Sequence, residues 1–155
     1  MTLGDIFHPR AIKRNLAGLE KTAALKELVS ALTEVHPELD SDTVLAAVEE
    51  REHKMNTGIG FGAAAPHGYY PGIDGIFGAL GVSEQGVNYG AADNKPVHCI
   101  FLLVLGEDSR EKHLRVLDRV MALIDYDALP LIRAAKTAED IHRLLSHTGS
   151  SLGGI

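Results

Sequence analysis

The feature that most constrains the fold is a nine-residue run in the second half of the chain, Val97–Leu105, with the sequence VHCIFLLVL. A run of this length suits a β-strand, and because it is apolar on both sides, both of its faces have to be covered by other elements. Cys99 within it is interpreted as a small buried side chain, since a single cysteine allows neither a disulfide framework nor a cysteine metal cluster. The run therefore predicts an α/β fold.

The segments around this strand supply the helices. Apolar residues recur at helical spacing over Thr22–Val35, and the cluster Asp40–Asp42 offers short polar side chains that can cap the next helix. A capping-box spacing at Asp108–Glu111 predicts the start of another helix. The apolar residues expected to face the core from that helix are Leu114, Leu117, Val120, Met121 and Ile124. Shorter helices are predicted over residues 127–135 and 137–147, and further strands over 11–16 and 75–83.

The glycine-rich stretch Asn56–Gly68, NTGIGFGAAAPHG, is the strongest candidate for a functional site. Its first three glycines alternate, so in an extended strand they would share one face and leave it free of side chains. Pro66 cannot donate to a β-ladder and favours an extended residue before it, so the strand is predicted to end at His67. A histidine at such a strand end can be presented to solvent.

Three interpretations of this stretch compete. A dinucleotide-binding fingerprint requires G-x-G-x-x-G at the start of a helix, whereas these glycines follow G-x-G-x-G and a proline stands where the helix should open. A histidine that supports a tight turn is the simplest interpretation of an isolated Pro-His-Gly. The third interpretation, a reactive histidine, depends on the rest of the chain.

Two blocks of the sequence together resemble one family. Arg51–Gly68 has the pattern RExxxxTGIGxGAAxPHG, and Asp93–Leu117 reads DNKPVHCIFLLVLGEDSREKHLRVL. Both are similar to the enzyme IIA domains of the phosphoenolpyruvate-dependent phosphotransferase system, of the fructose, mannitol and nitrogen-regulatory type, and the similarity spans most of residues 11–146. The resemblance implies a single three-layer domain over residues 1–148, with a mixed sheet of about five strands and helices on both faces. Residues 149–155 are expected to form a flexible tail.

The resemblance also implies roles for three residues. His67 matches the histidine that accepts a phosphoryl group, attacking through Nε2 while a backbone carbonyl holds Nδ1. His113 lies in the first turn of its helix on the same stripe as Leu117, where it would donate a hydrogen bond to the phosphoryl group. Arg51 matches a basic residue close to the active histidine. From the residues alone, a lone histidine on an apolar face such as His113 is usually a core residue, and Arg51 could be a surface residue near a helix C-terminus.

The charge and composition of the chain limit the classes of partner that it is expected to bind. The net charge of −6 argues against nucleic acid, because a phosphate backbone is bound by clustered Lys and Arg. No apolar run approaches the ~20 residues that a membrane helix requires, and residues 1–10 lack a signal-peptide pattern, so we expect a cytoplasmic protein without direct membrane insertion. No cofactor is implied, and a zinc site using His67 and His113 has no third ligand in the sequence pattern.

The expected activity is that of a phosphotransferase that receives phosphate from an HPr-type carrier protein. Because no other phosphotransferase segment is fused to this sequence, we expect the nitrogen-regulatory type, in which phosphorylation alters binding to target proteins. The competing interpretation is a IIA subunit of a fructose- or mannitol-class transporter, which passes phosphate to a IIB subunit. A third alternative, from another class, is a binding module on the same fold whose histidine never takes phosphate.

Overall fold

The structure is a computed structural model that describes residues 2–108, 110–125 and 128–151. The strands are β1 (Phe7–Lys13), β2 (Gly58–Gly60), β3 (Ala63–Ala64), β4 (His67–Tyr69), β5 (Ile76–Val87) and β6 (Val97–Leu105). The helices are α1 (Leu3–Ile6), α2 (Lys21–Val35), α3 (Ser41–Lys54), α4 (Arg110–Asp125), α5 (Leu129–Ala134) and α6 (Ala138–Ser151). The strands form one mixed sheet in the order β1-β5-β6-β3-β2, and β4 also pairs with β6.

The apolar run that dominates the sequence is the central strand. β6 coincides with the predicted strand, pairs antiparallel with β5, and pairs in parallel with both β3 and β4. Every side chain of β6 except His98 is buried. The ring of Phe101 meets the edge of Phe7 at a centroid distance of 6.1 Å. The prediction of a strand covered on both faces is confirmed.

Two apolar clusters lie on opposite faces of this sheet. Cys99, Phe101 and Leu103 of β6 pack in the cluster that also contains buried residues of α1, α4, α5 and α6. The intervening residues, Ile100 and Leu102, pack in the cluster that contains α2 and α3. The chain is therefore a single α/β domain of three layers, as the resemblance implied.

The predicted helices are present, but the buried face of α4 differs from expectation. Its fully buried apolar residues are Val116, Val120, Leu123 and Ile124. Leu114 is 47% exposed and Met121 is 36% exposed, so the prediction that both face the core was wrong. At about 100° of rotation per residue, Leu114 and Met121 lie more than a quarter turn from the centre of the buried stripe.

The glycine run is not one extended strand. Gly60, Phe61 and Gly62 all have positive φ, at 94°, 58° and 79°, so the chain reverses there and β2 pairs antiparallel with β3. Glycine adopts such angles without a steric cost, which is why the alternating glycines suit a turn as well as a strand. The predicted glycine face is therefore wrong, and the division of this run accounts for six strands where about five were expected.

Several boundaries also differ. β1 covers Phe7–Lys13, where the sequence favoured residues 11–16, and β5 continues to Val87. Helix α6 continues through Ser151, so residues 149–151 are helical where a tail was expected, and residues 152–155 lie outside the described part. Among the residues that the structure describes, no helix combines the length and apolar character needed to cross a bilayer.

Candidate functional site

His67 is the first residue of β4, and this position determines the face on which its ring lies. In the parallel pairing of β4 with β6, His67 is opposite Leu103, whose side chain belongs to the core beneath α4. Paired residues of adjacent strands point to the same face of a sheet. The imidazole therefore lies on the α4 face, where it is half-buried.

The ring of His67 is held in one tautomer. Its Nδ1 lies 3.0 Å from the carbonyl oxygen of Ala65, and because a carbonyl only accepts, Nδ1 must carry the hydrogen. The lone pair is then on Nε2. Burial lowers the pKa of His67 below its ordinary 6.5, the hydrogen bond to Ala65 opposes this shift, and the positive charge of Arg51 lowers the pKa further. The ring is consequently neutral at pH 7 with a nucleophilic Nε2.

Arg51 is brought close to His67 by the packing of α3 on β4. Gly68 makes this approach possible, because a Cβ on it would lie 2.9 Å from the backbone nitrogen of Val48. Arg51 lies in the last turn of α3, where its Nη1 donates to the carbonyl of Met55 at 3.2 Å. The guanidinium is partly exposed, so it can contact an anion at the rim of the site.

His113 lies on the same face of the sheet, in the first turn of α4. It is three residues before the buried Val116, and its ring is half-buried. The Nε2 atom of His113 is buried and has no hydrogen-bond partner among the described residues. A buried polar atom without a partner is costly unless a ligand or water satisfies it. The charge of Arg51 on α3 thus acts on His67, and His113 on α4 lies on the same face of the sheet as the His67 ring.

A buried carboxylate beside this group was not singled out in the sequence. Glu52 is only 8% exposed and forms an ion pair with Lys21 at 2.6 Å. It also accepts hydrogen bonds from the hydroxyls of Thr57 and Tyr89. The motif that carries the resemblance contains both Glu52 and Thr57, so the Arg-Glu…Thr-Gly pattern was the available signal.

A metal site, a reactive thiol and a ligand cavity at the candidate site find little support in the described part of the chain. No group of three His, Cys, Asp or Glu residues there could hold a metal ion. Burial raises the pKa of Cys99 to about 12, so its thiol is inert at neutral pH. Phe61 lines two cavities of about 630 and 740 Å³, but neither is lined by His67, Arg51 or His113.

The family model described as "Phosphoenolpyruvate-dependent sugar phosphotransferase system, EIIA 2" matches residues 5–148. The chain belongs to this EIIA 2 family. The resemblance stated from the two sequence blocks is therefore confirmed over nearly the whole chain. The family consists of phosphotransferase-system domains, which supports a role in phosphotransfer.

The relatives of this EIIA 2 protein include nitrogen regulatory proteins and fructose-specific components of the phosphotransferase system. A "Nitrogen regulatory protein" of Bradyrhizobium diazoefficiens is 31% identical over 147 residues, which are 94% of this chain and 95% of that protein. A "PTS system fructose-specific EIIABC component" of Bacillus subtilis is 30% identical over 124 residues, which are 80% of this chain but only 20% of that protein.

Solved structures give the same fold. The crystal structure of the nitrogen regulatory protein IIA-Ntr of Neisseria meningitidis superposes with a TM-score of 0.84 and 26% identity, covering 92% of this chain and 98% of that one. The IIA mannitol chain in a complex with phosphorylated IIB mannitol from Escherichia coli has a TM-score of 0.73 at 14% identity, covering 92% of this chain and 99% of that chain. At that identity the second structure supports the fold alone.

Proposed function

We propose that this EIIA 2 protein carries a phosphoryl group on Nε2 of His67, which it receives from an HPr-type carrier and passes to another protein. The observation that carries the proposal is the contact between Nδ1 of His67 and the carbonyl of Ala65. It commits the ring's hydrogen to Nδ1, so Nε2 is free to attack. Imidazole is the side chain that is both neutral and nucleophilic near pH 7.

In the proposed step, the lone pair on Nε2 of His67 attacks the phosphorus of the donor's phosphohistidine in line with the bond that breaks. The electrons of that P–N bond return to the donor's ring, which leaves as neutral imidazole because its other nitrogen carries a proton, while the hydrogen on Nδ1 of His67 stays in place. Little covalent work falls to the protein, so its contribution is to position the ring and stabilise charge on the moving group. Arg51 supplies positive charge at the rim, and the unpartnered Nε2 of His113 is a hydrogen-bond donor when the ring carries its hydrogen on that nitrogen.

The test is phosphorylation in a reconstituted chain of phosphoenolpyruvate, enzyme I and an HPr-type carrier. The wild-type protein should acquire an acid-labile, base-stable phosphate, and His67→Ala should acquire none. His147→Ala, which changes an exposed histidine on α6, is the matched control and should be labelled normally. Phosphate on His67→Ala would mean that another residue is the acceptor. A wild-type protein that acquires no phosphate would favour the alternative of a binding module.

We propose further that the protein is of the nitrogen-regulatory type. Support comes from relatives of that name, which match this chain along nearly their whole length. The fructose-specific relative favours the alternative of a IIA subunit that feeds a sugar transporter. Mixing the phosphorylated protein with a fructose-class IIB protein separates the two. The regulatory type should retain its phosphate, whereas rapid transfer to IIB would establish the sugar-transport alternative.

A further inference from the structure

The ionic cluster around Glu52 lies in this region, and the proposed phosphotransfer step gives it no role. Its carboxylate pairs with Lys21 at 2.6 Å and accepts from the hydroxyl of Tyr89 at 3.1 Å. The Lys21 ammonium also lies 4.6 Å from the centre of the Tyr89 ring. Tyr89 is 2% exposed, and both burial and the nearby carboxylate raise the pKa of its hydroxyl, which therefore remains a hydrogen-bond donor.

Burying such a cluster of charged groups carries a desolvation cost that apolar side chains would not have. Removing a carboxylate and an ammonium from water costs more than their mutual attraction reliably returns, and apolar residues of similar volume often stabilise a fold as well. Buried ionic groups are retained in some proteins because they fix one conformation. The cluster joins the first residue of α2, the last turn of α3 and the segments beside β2 and β5.

A continuous chain of hydrogen bonds leads from Glu52 to His67. The carboxylate accepts from the hydroxyl of Thr57 and, at 3.2 Å, from its backbone N–H. The carbonyl of Thr57 accepts from the backbone N–H of Ala65 at 3.1 Å. The carbonyl of Ala65 in turn accepts from Nδ1 of His67 at 3.0 Å. The residue whose carbonyl selects the tautomer of His67 is thus hydrogen-bonded through its N–H to Thr57, and Thr57 is hydrogen-bonded to Glu52.

We propose that Glu52 is a positioning residue for His67, fixing the Ala65 carbonyl that keeps the imidazole hydrogen on Nδ1. The inference rests on the proposed function, because it deepens the account of that same site. Glu52 also acts on the pKa of His67 through its charge. The negative charge of Glu52 raises the pKa of His67, against the lowering by burial and Arg51.

Two variants of Glu52 separate positioning from charge. In Glu52→Gln, the amide oxygen can still accept from Thr57, so the Ala65 carbonyl should stay in place while the negative charge is lost. In Glu52→Ala, the backbone N–H and the hydroxyl of Thr57 lose the carboxylate that accepts from both, and we expect the Ala65 segment to be released. Glu50→Gln is the matched control, because Glu50 is an exposed acid on the same helix whose contact to Lys54 is a surface pair at 3.7 Å.

The first measurement is the ring ¹⁵N spectrum of His67 in the unphosphorylated protein, which needs no partner. Wild type and Glu50→Gln should show hydrogen on Nδ1 alone. Glu52→Gln should keep that tautomer with a lower His67 pKa, and Glu52→Ala should show a mixture with hydrogen on Nε2. An unchanged tautomer in folded Glu52→Ala would overturn the inference. If Glu52→Ala does not fold, Thr57→Val removes the hydroxyl that donates to Glu52 and should shift the ring towards the same mixture, and an unchanged tautomer there would overturn the inference equally.

The second measurement is the rate of phosphoryl acceptance. A small displacement of a reacting group costs roughly 10²-fold, so Glu52→Ala should be slowed by about that factor and Glu52→Gln by much less. Equal rates for the two variants would contradict a positioning role for Glu52.

The two proposals can fail separately. A wild-type protein that never takes phosphate would contradict the proposed function, while the ¹⁵N spectra would still decide the role of Glu52. Normal labelling of His67 with an unchanged tautomer in Glu52→Ala sinks only the positioning role.

Discussion

At the scale of single residues, His67 combines burial with reactivity because its two ring nitrogens have different surroundings. Nδ1 is tied to the Ala65 carbonyl, and the ring is half-buried on the α4 face of the sheet. Burial alone would favour the neutral ring, and the hydrogen bond then decides which nitrogen keeps the lone pair. The chemistry proposed for Nε2 therefore follows from the backbone that precedes Pro66 and not from an unusual side chain.

The protonation of His67 gives the first prediction at this scale. Because burial and Arg51 lower its pKa below 6.5, phosphoryl acceptance should stay level as the pH falls through that value and should decline only at more acid pH, when Nε2 takes a proton. Arg51→Gln should raise the pKa by removing a positive charge. A histidine titration followed by NMR measures the His67 pKa in both proteins, and transfer assays over a range of pH measure the acceptance profile. Arg143→Gln, on the exposed side of α6, is the control, and a His67 pKa at or above 6.5 in the wild type contradicts the assignment.

His113 gives the second residue-scale prediction. A positioned hydrogen-bond donor to developing charge is typically worth ~10² to 10³ in rate, so His113→Ala should slow phosphoryl acceptance by about that factor without abolishing it. Stopped-flow transfer from the phosphorylated HPr-type carrier measures this rate. Val116→Ala, which removes packing from the same buried stripe of α4, is the control for a general loosening of the helix. Equal losses in the two variants would mean that His113 acts only through packing.

At the scale of elements, local sequence signals predicted the helices but did not predict the antiparallel pairing of β2 with β3. α3 begins where Asp40 accepts the backbone N–H of Thr43 at 2.9 Å, a start signal that is visible in sequence. The glycine run carries no such signal, because alternating glycines fit an extended strand and a turn equally. What selects the turn is the pairing of Ala63 with Cys99 in β6, and that contact is distant in sequence. Glu52 was missed for the same reason, since its partners Lys21 and Tyr89 are also distant.

The contact between α3 and β4 gives a prediction at this scale. In Gly68→Ala, the new Cβ would lie 2.9 Å from the backbone nitrogen of Val48, and backbone cannot move aside as a flexible side chain can. We expect a loss of about 1–3 kcal/mol in the free energy of unfolding, together with slower phosphoryl acceptance because β4 shifts away from α3. Urea denaturation and the transfer assay measure the two effects.

The control for this prediction is Gly72→Ala. Gly72 has a φ of 87° and open space around it, so alanine there is strained without crowding α3. It should lower stability while leaving transfer by the folded protein unchanged. If both variants alter transfer equally, the effect of Gly68→Ala comes from stability and not from the position of β4.

At the scale of the whole molecule, one strand connects the core to the site. β6 contributes alternate side chains to both apolar clusters and pairs with the strand that carries His67. The sequence predicted this strand fully because its apolar character is continuous. It predicted the grouping of His67, Arg51 and His113 only through resemblance, and in the structure the positive charge of Arg51 lowers the pKa of His67. Since both layers share β6, we expect them to lose their structure together.

Phe101 tests this expectation. It is fully buried in β6 against Phe7, so Phe101→Ala should lower the free energy of unfolding by about 3–5 kcal/mol. Phe61→Ala is the matched control, because that ring is 82% exposed and its loss should change stability by no more than about 0.5 kcal/mol. In both variants, urea unfolding followed by far-ultraviolet circular dichroism and by the His67 ring signal should give coincident transitions, as two-state unfolding requires. If the His67 signal disappears at lower urea than the helical signal, the site unfolds as a separate unit and β6 does not couple it to the core.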